Sequence, residues 1–410
     1  MTSPFGPDSL ARYAECMVKA GVALRKDDVL TITSPHGHRE LAVALAEAGY
    51  RAGACVVEVR YDDPRVHAAR IKYGAEKCLG ELTPWALARF RRVVAPNVAV
   101  LASLGESDPG VFDKLPPERV AAEHQRPAVK LKGYVRAALE GRVRWSGCAW
   151  PTEYWAAQVY PELDPAKAQK RLAKDLLEFC RLGPDDPPGI EGWTAHAKAL
   201  QQRAQRLSRM KIERLRLRGP GTDLEVALSH GTVWRGGREK GPYGHVTSPN
   251  IPTEEVFTTP QAGVADGEFR CSMPLSFHGR VIEGIAGEFR GGRLVRLEAK
   301  RAADRDFLAA FLDSEPNARR LGEVALVDAT SRIGRKRRIY NNTLLDENAA
   351  AHFAFGAGFG NTREEGQRRG VNRASLHLDV MIGSDDFEAT ATLTRGRQKP
   401  LIAGGLWQDL

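Results

Sequence analysis

The sequence predicts an α/β N-terminal domain with a mainly parallel sheet, followed by an α+β C-terminal domain. The chain has 410 residues, more than the ~250–300 residues at which a single core stops growing, so two domains are expected. Helical and strand patterns alternate through the first part of the chain. After Arg209 short alternating stretches with Gly-rich turns take over, which predicts domains 1–209 and 210–410.

The N-terminal alternation is the pattern of strands joined by helices. Its segments are a helix over Leu10–Leu24, a strand over Val29–Thr33, a helix over Arg39–Ala52, and strands over Cys55–Val59 and Val98–Leu101. Parallel strands need such crossovers, so a parallel sheet follows. Two long helices, Ala166–Cys180 and Trp193–Leu207, form a helical extension of this domain.

The C-terminal part mixes short strands with a few helices. Strands are predicted at Ile212–Leu217 and Arg280–Gly284, and helices at Asp304–Leu312 and Asp346–Phe355. Strands followed by separate helices are typical of an α+β domain.

Charge and hydropathy exclude several classes of protein. The net charge is +9, but Lys and Arg are interleaved with acids, and the dense run Gly334–Arg338 is short. Because no nucleic-acid-binding signature accompanies that run, no nucleic-acid partner is expected. No run of ~18 apolar residues is present and the N-terminus lacks a basic patch before an apolar stretch, so neither a membrane span nor a signal peptide is expected.

The cysteines indicate a reducing compartment. The six thiols are widely spaced and form no C-x-x-C pair: Cys16, Cys55, Cys78, Cys148, Cys180 and Cys271. They are expected to be reduced thiols of a cytoplasmic protein, and neither a disulfide framework nor a zinc ribbon is expected.

The segment Asn250–Thr258 carries two adjacent carboxylates where a strand is expected. Pro252 can begin a strand but cannot lie centrally within one. Glu254 and Glu255 would then point to opposite faces of that strand. Only one of them can therefore face inward toward a given neighbour.

The segment Leu321–Val327 is a strongly apolar strand that opens with Glu323. An isolated buried carboxylate is very costly, so Glu323 needs a partner. A metal ion is one such partner. An arginine is another, and Arg319 and Arg320 are close in sequence.

The segment Asp346–His352 resembles a helix entry followed by an Ala-rich turn. Glu347 and His352 are five residues apart, which is ~140° around a regular helix at ~100° per residue. They would therefore reach different sides of a site. The alternative for His352 is an ordinary packed or surface histidine.

The segment Ser375–Gly383 has the period-2 pattern of a strand. His377 and Asp379 fall on one face, and the intervening leucines and valine fall on the other. Two metal-competent side chains on one face suit a shared or adjacent ion. A His–Asp hydrogen bond on a solvated face is the alternative.

With one glutamate of the Glu254–Glu255 pair, the candidate ligands of these segments are four carboxylates and two imidazoles. Such a set of oxygen and nitrogen donors suits zinc, cobalt or manganese. Two such ions ~3.5–4 Å apart would suit hydrolysis.

These segments, in this order, resemble the aminopeptidase T and aminopeptidase S family of dinuclear, thermophilic-type metallopeptidases. The matching stretches are N-I-P-T-E-E-V-F-T, G-R-V-I-E-G, R-L-G-E-V-A-L-V, N-T-L-L-D-E-N-A-A-A-H and H-L-D-V-M-I-G-S. Weaker similarity covers nearly the whole chain. The resemblance implies a two-domain homodimer that removes amino acids from the free N-termini of peptides with two divalent metal ions, such as Zn, Co, Mn or Mg.

The resemblance also implies roles for individual residues. Carried over position by position, the metal ligands are Glu255, Glu323, His352, His377 and Asp379, and Glu323 bridges the two ions. Glu347 also falls at a family site position. It is either a further metal ligand or the catalytic general base that takes a proton from water and passes it to the leaving amine.

One position departs from the family pattern. The family usually carries a tyrosine seven residues after the site histidine, and this chain has Phe359 there. On a continued helix Phe359 would lie on the face of His352. The missing hydroxyl removes a possible ligand or oxyanion donor, and losing such a donor can cost ~10²–10³ in rate.

Two other functions remain open at this stage. Ring-cleaving iron(II) dioxygenases distantly resemble the family, and His352, His377 and Asp379 could hold a single iron. The retained glutamates favour two metals instead. The second alternative is a non-catalytic peptide-binding homologue that kept the pocket and lost turnover, with Phe359 as its marker.

Overall fold

The computed structural model describes residues 3–105, 110–112, 114–139, 141–277, 280–364 and 370–409. The chain divides into two compact units, one formed by Met1–Ala195 with Glu239–Ile251 and the other by His196–Arg238 with Pro252–Leu410. The sequence-based domain boundary near Arg209 stays a prediction, because compactness alone does not define a folding domain.

The helices follow one another in chain order. They are α1 (Pro7–Cys16), α2 (Arg39–Arg51), α3 (Pro64–Tyr73), α4 (Pro84–Arg92), α5 (Pro117–Leu139), α6 (Glu153–Val159), α7 (Pro165–Phe179), α8 (Glu191–Arg209), α9 (Ala302–Asp313) and α10 (Thr343–Asp346). None of the helices in the described ranges is long and apolar enough to cross a membrane.

The strands are numbered in the same way. They are β1 (Val29–Pro35), β2 (Val56–Asp62), β3 (Val98–Leu104), β4 (Arg144–Ala149), β5 (Ile212–Gly219), β6 (Thr222–Ala227), β7 (Glu239–Lys240), β8 (Val246–Thr247), β9 (Val256–Thr258), β10 (Ala265–Arg270), β11 (Leu275–Phe277), β12 (Arg280–Ile282), β13 (Ala286–Arg290), β14 (Arg293–Glu298), β15 (Leu321–Leu326), β16 (His352–Gly356), β17 (His377–Met381), β18 (Glu388–Leu393), β19 (Gln398–Ala403) and β20 (Leu406–Trp407).

The first unit is built on a parallel sheet in the order β2-β1-β3-β4, which confirms the predicted mainly parallel N-terminal sheet. Leu30 and Ile32 of the central strand β1 are fully buried. Helix α2 approaches the sheet closely at Gly49, where a Cβ atom would lie 2.7 Å from the Leu30 side chain. Burial of apolar strands beneath a helix is the usual construction of a parallel sheet.

In the described ranges the second unit contains the small antiparallel sheet β11-β12 and two larger antiparallel sheets. The orders of the larger two are β14-β13-β10-β6-β5-β18-β19-β20 and β17-β16-β15-β9. Phe269 and Phe289 of the first of these pack against Phe353 and Phe355 of the second, with ring centroids 4.9–6.1 Å apart. Such aromatic pairs contribute about 0.5–1.5 kcal/mol beyond their buried area. One hydrophobic core therefore joins the two sheets.

The predicted helix over Asp346–Phe355 is wrong. The helix α10 ends at Asp346, a single 3₁₀ turn covers Glu347–Ala349, and His352 begins strand β16. Its alternation places Phe353 and Phe355 in the core, and this packing overrides the helical preference of the alanines. The angular argument for Glu347, and the helical argument that brought Phe359 to the face of His352, therefore do not apply.

Candidate metal centre

The four-stranded antiparallel sheet β17-β16-β15-β9 of the second unit has one apolar face and one face of acids and imidazoles. On β17, Leu378 and Val380 enter the hydrophobic core. His377 and Asp379 point to the other face, where His377 Nε2 lies 3.1 Å from Asp379 Oδ1. Side-chain alternation along a strand produces this separation, as the sequence predicts.

The strand register places small residues between the charged ones. Ala354 of the central strand β16 lies opposite Glu323 on one side and opposite Asp379 on the other. Gly356 lies opposite His377 in the same ladder. Longer side chains at these two positions would fill the face on which the acids converge.

Five of the predicted site residues come together on this face. Glu255 Oε2 lies 3.2 Å from His352 Nε2, and Glu323 Oε2 lies 3.0 Å from His377 Nε2. Two groups form, Glu255–Glu323–His352 and Glu323–His377–Asp379, and within each group one ligand atom per residue lies within 4.8 Å of the others. Glu323 belongs to both groups.

Backbone carbonyls orient both imidazoles. Nδ1 of His352 lies 3.1 Å from the oxygen of Ala350, and Nδ1 of His377 lies 2.8 Å from the oxygen of Ala357. Because a carbonyl oxygen only accepts, each Nδ1 carries a proton that it donates. Each Nε2 is thereby directed toward the carboxylates, as in histidines that ligate metals.

Glu347, the sixth predicted residue, adjoins this cluster from the 3₁₀ turn after α10. Burial, followed by the negative charges of Asp379 and Glu255, raises the pKa of Glu347 well above its usual range. Asn348 Nδ2 lies 3.4 Å from Glu347 Oε1. Glu347 is therefore a carboxylate crowded by other carboxylates.

The same crowding affects the neighbouring groups. Burial raises the pKa of Glu323 to about 7, against the hydrogen bond from His377. Burial alone would lower the pKa of His352, but the hydrogen bond to Glu255 and the charge of the surrounding carboxylates raise it to about 10. The acids and imidazoles thus stabilise each other's charge.

These residues fit divalent metal ions by the chemistry of their donors. Carboxylate oxygens and two oriented imidazole nitrogens are the donors that zinc, cobalt and manganese accept. A cation would also offset the burial and the repulsion between carboxylates that raise the pKa values of Glu323 and Glu347. Arg319, one of the two arginines considered as partners of Glu323, pairs with Asp313 instead, with 2.5 Å between its Nε and Asp313 Oδ1.

Phe359 lies beside the centre, although the predicted helix that would bring it there does not exist. Its ring packs edge-on against the His377 ring at 5.2 Å between centroids, and it lies 5.2 Å from the Phe257 ring. The Phe359 backbone N–H donates to Thr259 Oγ1 at 2.8 Å, which holds this segment against β9. The position at which this sequence departs from the family resemblance is therefore adjacent to the candidate ligands.

The residue pattern alone missed Asn348 and did not choose between Glu254 and Glu255, whereas the family resemblance implied Glu255 as the ligand. Both glutamates precede β9 instead of alternating within it, and both are buried, at 8% and 7% exposure. Glu255 contacts His352, whereas Glu254 Oε1 accepts from the backbone N–H of Arg332. In the local sequence, only the polarity of Asn348, directly after Glu347, indicated a further residue at the site.

The donor set is that of a candidate metal centre, and comparison with known proteins defines the class of protein. The chain belongs to the thermophilic metalloprotease (M29) family, whose model matches residues 7–407. It is thus a metal-dependent aminopeptidase, a hydrolase that acts on peptide bonds, as the sequence predicts.

Individual relatives cover nearly the whole chain. Aminopeptidase T of Thermus thermophilus is 34% identical over 405 residues, covering 97% of this chain and 98% of that protein. Aminopeptidase 2 of Geobacillus stearothermophilus is 32% identical over 406 residues, covering 97% of each. The solved structure of wild-type AmpT from Thermus thermophilus matches with a TM-score of 0.89 at 33% identity, covering 98% of this chain and 99% of that chain.

A more distant structure shares the fold alone. The 2,5-dihydroxypyridine dioxygenase of Pseudomonas putida matches with a TM-score of 0.54 at 14% identity, covering 97% of this chain and 96% of that chain. At that identity the likeness does not assign a dioxygenase reaction to this chain.

Proposed function

We propose that this aminopeptidase holds two divalent metal ions on the acidic face of the four-stranded sheet, with Glu323 as the ligand common to both. Glu255 and His352 would hold one ion, and His377 and Asp379 would hold the other. The observation that carries the proposal is that Glu323 belongs to two separate three-residue groups. A carboxylate has two oxygens, so one side chain suits two ions.

Ions of this kind supply Lewis-acid chemistry, polarising a carbonyl group and lowering the pKa of water. In this proposal Glu347 acts as the catalytic general base. It would accept a proton from water at a carboxylate oxygen and return that proton to the leaving amine. Its place beside the acids that would hold the ions supports this role, since the positive charge of the ions would keep its carboxylate ionised and able to accept a proton.

The proposal includes finer features of the protein. The substrate is a peptide with a free N-terminus, and the ions are Zn, Co, Mn or Mg. The chain would act as a homodimer in the cytoplasm, without nucleic-acid or membrane partners, and residues 210–410 would form its metal-binding α+β catalytic domain. The family resemblance supports the homodimer and the substrate. The absence of disulfides among the described cysteines supports the compartment.

Metal analysis joined to an activity assay tests this proposal. The purified chain is stripped with a chelator, reconstituted with Zn²⁺, Co²⁺ or Mn²⁺, and assayed on a panel of aminoacyl-nitroanilides. We expect about two ions per chain and sustained hydrolysis. One iron per chain with oxygen-dependent ring cleavage would favour the dioxygenase. Two ions without hydrolysis would favour the non-catalytic peptide-binding homologue.

A further inference from the structure

Three chain segments meet behind Glu255 and Glu347, and buried polar side chains join them. The segments are represented by Glu254, Ser331 and Asn348, which are 8%, 3% and 0% exposed. Glu254 directly precedes Glu255, and Asn348 directly follows Glu347. Each segment is hydrogen-bonded to the other two, so the bonds form a closed ring.

Asn348 makes the first side of the ring. Its Oδ1 accepts from the Glu254 backbone N–H at 2.7 Å and from Thr253 Oγ1 at 3.2 Å. Its Nδ2 donates to the Leu344 carbonyl at 2.8 Å and lies 3.4 Å from Glu347 Oε1. Only this orientation of the amide places an acceptor opposite an N–H and a donor opposite a carbonyl.

Ser331 and Glu254 make the other two sides. Ser331 Oγ donates to the Asn348 carbonyl at 2.8 Å and accepts from the Gly334 N–H at 3.0 Å. Glu254 Oε1 accepts from the Arg332 N–H at 3.2 Å. This bond joins the segment of Ser331 to that of Glu254 and closes the ring. A fully connected buried network of this kind rigidifies the segments that it joins.

We propose that the ring of Glu254, Ser331 and Asn348 positions the two neighbouring site residues, Glu255 and Glu347. In this assignment Glu254 is a positioning residue and not a metal ligand. This inference rests on the proposed two-metal function, and it names the residues that hold the proposed ligand and general base in place. Partners of this kind around a metal site typically change metal affinity by ~10–100-fold when removed.

The first test compares two buried asparagines of the same unit. Asn348→Ala removes the amide that holds Glu254 and Glu347. Asn372→Ala is the matched control, because the Asn372 side chain hydrogen-bonds to the carbonyls of Asn317, Arg320 and Leu321 and to the Ala374 N–H. None of these hydrogen-bond partners is a site carboxylate.

Both variants should lower the Tm of the metal-free protein. Only Asn348→Ala should also weaken Zn²⁺ binding, by ~10–100-fold in a chelator competition. Equal losses of Zn²⁺ affinity in the two variants would overturn the proposal, as would an unchanged affinity in Asn348→Ala. A wild-type chain that binds no metal would instead overturn the proposed function, so the two failures are distinguishable.

The second test compares adjacent glutamates. Glu254→Gln keeps an amide oxygen that can accept from the Arg332 N–H, so Zn²⁺ affinity should stay within about threefold of wild type. Glu254→Ala loses that acceptor and should show the ~10–100-fold weakening. Glu255→Gln removes a proposed ligand and should reduce bound metal directly. If Glu254→Gln lost metal as Glu255→Gln does, Glu254 would be a ligand and the proposal would be wrong.

Discussion

The parallel sheet of the first unit and the four-stranded sheet of the second unit use buried strands in opposite ways. Strand β1 buries Leu30 and Ile32 against its own unit, as an ordinary parallel sheet does. Strand β17 alternates buried Leu378 with His377 and Asp379. In the described ranges, two groups of acids and histidines could hold a metal ion. Both groups include Glu323 of the four-stranded sheet in the second unit.

The difference shows where function separates from stability in this chain. A buried apolar face stabilises the fold by ~25 cal/mol per Å² of surface removed from water. A buried acidic face destabilises it unless the charges are paired or bound to a cation. The second sheet accepts this cost on one face while its other face contributes to the core. Variants on the acidic face should therefore affect metal binding most, and variants in the core should affect stability most.

The largest effect is expected for Glu323→Gln. This change keeps the shape of the side chain but removes the charge common to both ligand groups. Peptide hydrolysis should become undetectable and bound metal should fall, as measured by nitroanilide turnover and elemental analysis. Normal turnover in this variant would sink the assignment of the metal centre.

Glu347→Gln should have the next largest effect and should separate the two roles left open for this residue. As the general base, Glu347 would contribute ~10²–10⁴ in kcat, and its replacement would leave metal content unchanged. As a ligand, its replacement would also lower metal affinity. Steady-state kinetics combined with metal titration distinguishes the two results.

The sequence predicted the site where local pattern determines geometry and failed where distant segments determine it. The pairing of His377 with Asp379 follows from strand alternation alone. His352 was assigned to a helix because its neighbours are alanines, whereas the packing of Phe353 and Phe355 against a different sheet decides the matter. No local signal separates Glu254 from Glu255, because the Asn348 amide that distinguishes them is 94 residues from Glu254.

The fold of the first unit was easier to predict for the same reason. Strands β1 and β3 carry runs of Val, Leu and Ile that are largely buried, so length and composition reveal them without knowledge of their partners. The residue pattern alone did not reveal that Glu323 belongs to both candidate ligand groups. The family resemblance implied a shared role, and the register of β15, β16 and β17 brings the two groups together.

Phe359→Tyr should change the rate less than the two glutamate variants, and in the opposite direction. The new hydroxyl would lie at the edge of the ring that now packs on His377, next to the centre. If that hydroxyl acts as an oxyanion donor, peptidase kcat should rise, with ~10²–10³ as the upper bound for one such donor. Phe257→Tyr, on the neighbouring ring, is the matched control. An unchanged kcat would show that the native site needs no hydroxyl here.

The smallest effect on the metal centre, and the most direct test of the contrast between the sheets, comes from one leucine in each. Leu30→Ala and Leu378→Ala both remove a buried leucine and should each cost about 2–5 kcal/mol of stability. Leu378 lies between His377 and Asp379, so its loss should also weaken Zn²⁺ binding a few-fold, because the strand that aims both ligands relaxes into the cavity. Leu30→Ala should leave the Zn²⁺ affinity unchanged. Denaturant melts of the metal-free proteins and chelator competition measure the two quantities, and equal weakening of Zn²⁺ binding by both variants would contradict the separation of stability from function.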